Sequence, residues 1–122
     1  MNKNILFGVI FVFSSSVGAM SLSDCTKISE VVNARTPMKI DSKTFVKSTF
    51  CSNSKPKPTL IYMMVTELNL VDLNATQNFQ KNGWCTDPTQ RKLLNEVDVR
   101  YQYVTTTGIY LGNTAINVRM CN

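Results

Sequence analysis

The chain has no histidine among its 122 residues. That removes the side chain most often used for general acid–base work near neutral pH, and the commonest zinc ligand. A cysteine nucleophile would have no imidazole to activate it. Glycine is scarce, with five residues, and Gly83, Gly108 and Gly112 make no phosphate-binding pattern. There are no repeats and no low-complexity tract. Apart from the N-terminal segment there is no long apolar run, so nothing else is long enough to span a bilayer, which takes about 20 apolar residues. Carboxylates alone can run glycoside hydrolysis, but that needs a pair facing one cleft. The nearest pair, Glu96 and Asp98, flanks Val97 at an expected helix–strand junction. There a cap and an exposed strand residue explain the two acids better than catalysis. These absences point away from an enzyme. The pattern implies no metal and no cofactor.

What is present starts with MNKNILFGVIFVFSSSVGA: Lys3, an apolar stretch from Ile5 to Phe13, and small residues ending at Ala19. A charged start, a short apolar middle and a small-residue end make a secretory signal peptide over 1–19. It leaves one domain over 20–122, exported to the periplasm and free of the membrane once the signal is cleaved. Twelve basic residues then face eight acidic ones, a net charge of +4.

Cys25, Cys51, Cys85 and Cys121 all lie in the mature part. An even count in a small exported domain argues for two disulfides, with three possible pairings. The order of elements favours one of them. Ser23 and Asp24 open a helix that ends by Thr36, before Pro37. DSKTFVKSTFCS reads as a strand, SNSKPKPT as a loop, and TLIYMMVTELNL as a second strand. That strand is apolar on both faces: Leu60, Tyr62 and Met64 on one, Ile61, Met63 and Val65 on the other. A cover within the domain or a partner subunit must bury the second face. LVDLNATQNFQKNGW is helical in part and breaks near Gly83. DPTQRKLLNEV starts a helix, with Asp87 as N-cap and Pro88 in the first turn. VDVRYQYV alternates cleanly, TTTG turns with Gly108 at positive φ, and IYLGNTAINVRMC returns. The expectation is an α+β fold in α-β-β-α-β-β order, with a mainly antiparallel four-stranded sheet and helices packed on one face. Bridges Cys25–Cys51 and Cys85–Cys121 would each tie a helix to the sheet, contributing about 3.5–4 kcal/mol each in the chain-entropy model. So Cys85, beside Thr86 and Asp87, reads as a staple and Asp87 as a cap.

The cations Lys43, Lys47, Lys55 and Lys57 cluster over a strand and its loop. They lack the interleaved aromatics and arginines of a nucleic-acid surface, and the compartment holds no nucleic acid. A cationic edge for an acidic partner is the sharper reading. Trp84 is expected in the core, and Met63 and Met64 also suit an adaptable surface. Asn74-Ala75-Thr76 is a glycosylation sequon by pattern only.

VVNARTPMKIDSKT, GWCTDPTQRKLLNEVDVRYQYVTTTG and a closing Cys121 together resemble a group of small exported Gram-negative proteins. In length and signal peptide the precursor is similar to periplasmic type VI secretion immunity proteins, which protect against a VgrG effector carrying a muramidase domain. Cys25, Cys51 and the SNSKPKP loop depart from the broader group. The resemblance implies a non-catalytic inhibitor that blocks its effector's peptidoglycan-cleaving cleft. The expected contacts are Lys55 and Lys57, with Lys43, Lys47 and Arg100 beside them. The two-faced strand over 59–70 implies a homodimer. A different class of function, a small secreted adhesin or carbohydrate-binding subunit of a toxin, fits the same stapled domain.

Overall fold

The computed structural model describes residues 19–121. The signal-peptide segment lies outside the described residues except for Ala19. The elements are α1 (Leu22–Asn33), β1 (Met38–Lys39), β2 (Thr44–Ser52), β3 (Thr59–Thr66), α2 (Leu73–Thr86), α3 (Pro88–Leu94), β4 (Asp98–Thr105) and β5 (Tyr110–Ile116), followed by a 3₁₀ turn over Val118–Cys121. They form one sheet in the order β1-β2-β3-β4-β5, with α1 against β2 and α2 against β5. The α+β class, the helix-covered face and both disulfides agree with the sequence reading.

Four details of that reading are corrected. The sheet has five strands, because Met38 and Lys39 pair with Val46 and Phe45. It is mixed, because β3 and β4 run parallel from Thr59↔Asp98 to Thr66↔Thr105. A helical crossover joins them, and parallel neighbours require such a connection. The segment 73–86 is one helix through Gly83, so the single expected second helix is two, α2 and α3. Finally, β5 stops at Ile116, and Cys121 sits in the 3₁₀ turn.

Local chemistry sets the helix ends. The N-cap of α1 is Ser21, whose hydroxyl accepts from Asp24 N at 3.1 Å. Ser23 lies inside the helix. The Asp72 side chain accepts from Ala75 N at the start of α2. Asp87 Oδ1 accepts from Thr89 N at 2.8 Å and Gln90 N at 3.3 Å, so Asp87 is the cap the sequence indicates. Gly108 takes φ 90° in the β4–β5 turn. Gly112 has φ 126°, and a Cβ there would meet Leu73 Cδ1 at 2.6 Å, so α2 approaches β5 over bare backbone.

The core lies between the helices and one sheet face. Leu60, Tyr62 and Met64 of β3, Val99, Tyr101 and Tyr103 of β4, and Val46 of β2 meet Ile28 and Val32 of α1, Trp84 of α2 and Leu93 and Leu94 of α3. Tyr62 and Tyr101 stack with centroids 4.7 Å apart. Trp84 Nε1 donates to Tyr101 Oη at 2.8 Å, so the buried indole N–H is satisfied. Cys25 of α1 bonds Cys51 of β2, and Cys85 of α2 bonds Cys121.

Helix side-chain amides also close backbone groups at both sides of the sheet. Asn33 Oδ1 accepts from Thr49 N at 2.7 Å, and Asn33 Nδ2 donates to Thr49 O at 2.9 Å. The amide thus takes the place of a neighbouring strand beside β2. Ser29 Oγ donates to the same carbonyl at 2.9 Å. On the far side, Ala115 N donates to Gln77 Oε1 at 2.9 Å. Unpaired edge groups invite pairing with another chain, and these bonds remove several. Asn33→Ala leaves Thr49 N without its side-chain partner and Thr49 O with the Ser29 hydroxyl alone, and should lower stability by about 1–3 kcal/mol. Chemical denaturation of the oxidised protein measures it; an unchanged midpoint and slope would show that the edge bonds contribute nothing net.

Candidate functional site: an uncovered, cation-edged sheet face

Because all three helices lie on one side, the opposite sheet face carries no element of the described chain. The register places its side chains in rows. Phe50, Ile61, Arg100 and Ala115 form one row across β2, β3, β4 and β5, and Ser48, Met63, Gln102 and Asn113 form the next. Lys39, Phe45, Val65, Val104 and Tyr110 form a third. Lys47 is the extra residue of a bulge between Val46 and Ser48, and it is exposed. The centre is apolar. Ile61 is 4% exposed, while Phe50 beside it in the row is 46% exposed. Met63, Val65 and Val104 are half-buried. So the second apolar face of β3 has no helix over it and is open in part, buried at Ile61 and half-buried at Met63 and Val65.

The five cations expected at a partner surface divide. Arg100 lies on this face, and Lys47 at its β2 side; both are exposed. Lys43 is exposed beyond the end of the sheet, next to β2, where its carbonyl accepts from Glu67 N. Lys55 is exposed in the proline-rich loop. Lys57 is different: its Nζ donates to Leu94 O at 3.0 Å and lies 3.9 Å from Asp98 Oδ1. It holds the loop to the end of α3, and its side chain is mostly buried. Among the described residues no carboxylate lies within 4.0 Å of Lys39, Lys43, Lys47, Lys55 or Arg100. Lys39 was missed in the sequence because β1 is too short to show a pattern. Phe45 and Phe50 were legible as strand residues, but their face depends on the bulge at Lys47.

The acid pair Glu96 and Asp98 does not act as a unit. Asp98 is turned to Lys57. Glu96 is buried, and its carboxyl is pushed above the ordinary range by burial first and by the Asp24 carboxylate second, with Lys92 partly offsetting them. A second apolar feature lies at the end of the β3–β4 pair, where the β3–α2 connection and the β4–β5 turn both begin. Leu70 is 81% and Ile109 63% exposed, and Leu68 is exposed beside them.

No protein-family model matches the chain, and no curated protein does. Solved structures with the same fold include a secreted protein of Pseudomonas aeruginosa, at TM-score 0.71 and 12% identity over 83% of this chain and 92% of that one. The type II secretion pilotin EpsS of Vibrio vulnificus matches at TM-score 0.66 and 16% identity, covering 83% of this chain and 91% of its own. The pilotin AspS of Vibrio cholerae matches at 0.65 and 14%, covering 82% and 91%. At these identities the likeness shows the fold. The two disulfides fit an extracytoplasmic location.

Two outcomes test this geometry. Lys57→Ala should cost about 0.5–1.5 kcal/mol through the lost bond to Leu94 O, whereas Lys55→Ala should leave stability within about 0.5 kcal/mol, as surface changes do. Equal effects of the two in urea denaturation would contradict the assignment. For Glu96, a raised folded pKa means that the folded state favours the protonated acid. The resulting penalty is absent in acid and grows as pH rises through the folded pKa. Glu96→Gln should therefore raise the melting temperature more at pH 7 than at pH 4; the opposite order would refute it.

Proposed function

We propose that the protein is a periplasmic immunity protein that binds a cognate VgrG-type muramidase effector of a type VI secretion system and blocks its active cleft. It works as a binder and not as an enzyme. The observation that carries this reading is the uncovered sheet face. A domain clamped by two disulfides presents an apolar surface edged by cations that lack carboxylate partners of their own. A rigid binding surface reduces the ordering cost of association. Glycoside cleavage relies on carboxylates in a cleft, so a cationic blocker complements it in charge. Of the expected contacts, Arg100 lies on this face and Lys47 at its side, with Lys43 beyond the end of the sheet; Lys55 stands off the face, in the loop that Lys57 supports.

The fold shared with pilotins of type II secretion leaves room for a second reading, a small secreted binding subunit with no effector partner. An adhesin or carbohydrate-binding subunit belongs to the same class. We also propose a homodimer. The segment 59–70 is two-sidedly apolar in sequence, and its exposed end, Leu68 and Leu70, lies at the same end of the sheet as exposed Ile109. Light scattering should give twice the monomer mass for the oxidised protein, and Leu70→Asp should reduce it; a monomer at all concentrations would remove the dimer.

The deciding experiment is peptidoglycan cleavage by the VgrG muramidase domain of the same bacterium, with and without the oxidised mature protein. Cleavage should stop near one-to-one mixing, and the protein alone should cleave nothing. Undiminished cleavage by an active effector would favour the second reading.

A further inference from the structure

Resting on the immunity reading, the geometry points to the outer sheet face, anchored by Arg100 and Lys47, as the effector-binding surface, with the partner presenting carboxylates around an apolar projection. The argument is one of charge and placement. Arg100 shares a row with exposed Phe50 and with Ile61. Lys47 projects from the bulge beside Ser48, opposite Met63. Lys39 extends the cationic side through its pairing with Phe45. The acid on the paired rows of this face is Asp98, at its end, and it is already 3.9 Å from Lys57. The face is thus apolar in the middle and positive at its sides, its paired rows carry no other acid, and exposed Glu67 lies just past the end of β3.

That distribution selects among occupants. A second copy of the same face would bring Arg100 and Lys47 against their own kind, and like charges brought together across an interface disfavour it. A neutral apolar partner would leave the cations desolvated without partners, at a cost in free energy. A surface with acids around an apolar tip satisfies both parts. Edge-to-edge strand addition is also disfavoured, since Asn33 already occupies both backbone groups of Thr49, and Gln77 occupies Ala115 N. The partner therefore approaches face-on. The proline-rich loop, with Lys57 turned inward, is a bystander.

The test measures the affinity and inhibition of the VgrG muramidase domain by oxidised wild type, the double variant K47E/R100E, and K55E. Both reversed residues are exposed, and circular dichroism checks that the variants fold. The double variant should bind at least tenfold more weakly and lose the salt dependence of wild type. K55E should stay within about threefold, as expected for a charge outside the contact. Wild type that inhibits while K47E/R100E inhibits equally would overturn this interface and leave the immunity reading standing. A large loss in K55E alone would move the interface to the loop. Wild type that neither binds nor inhibits would overturn both. Should K47E/R100E misfold, Phe50→Glu, at another exposed position of the face, gives the same reading.

Discussion

Both disulfides act on the same side of the sheet, and the rest of the architecture depends on that constraint. Cys25–Cys51 fixes α1 to β2, and Cys85–Cys121 fixes the end of α2 to the turn after β5. With the helices held on one face, the buried residues collect there: the stacked Tyr62 and Tyr101, the Trp84 indole bonded to the Tyr101 hydroxyl, and the aliphatic layer from α1 and α3. Folding a chain of this size leaves a margin of only about 5–15 kcal/mol. Two cross-links that constrain the unfolded chain are a large part of such a margin. They allow the molecule to keep the other sheet face apolar without a third layer to cover it.

The same economy appears at the sheet's sides. A five-stranded mixed sheet has two edges, and exposed edges promote unspecific pairing. Here Asn33 and Gln77, both borne on helices, use their amides where another strand's backbone would otherwise bond. Helix packing and edge closure are thus one arrangement. Loss of contact between α1 and β2 would also uncover Thr49. What is left for recognition is a face and a set of loop tips, and these differ in character. The face is cationic at its sides, and the tips at Leu68, Leu70 and Ile109 are apolar.

Several elements were legible because their determinants are local. Asp87-Pro88 announces a helix start wherever it sits, and the Asp87 carboxylate does bond the first-turn amides. The Val97-to-Tyr103 alternation states which side chains share a face, and β4 follows it. The disulfide pairing followed once helices and strands were in order. The boundary at Gly83 misled because glycine weakens a helix only modestly, and flanking packing by Trp84 and Gln80 overrides it. The parallel β3–β4 pair was missed although a helical segment between two apolar strands is the mark of a crossover.

The sequence by itself determined the compartment expected, the element types, the cysteine pairing favoured and the two-faced character of β3, since each depends on residue type and near-neighbour spacing. It could not show which cations stand free. Lys55 and Lys57 are two residues apart and alike in sequence, yet one is exposed and the other is held by Leu94 O and Asp98. That difference arises from a contact 37 residues along the chain. Nor could it show that Lys39, Lys47 and Arg100 border one surface. Three separate strands, a one-residue bulge and a parallel register bring them there, and each of those is decided by long-range pairing.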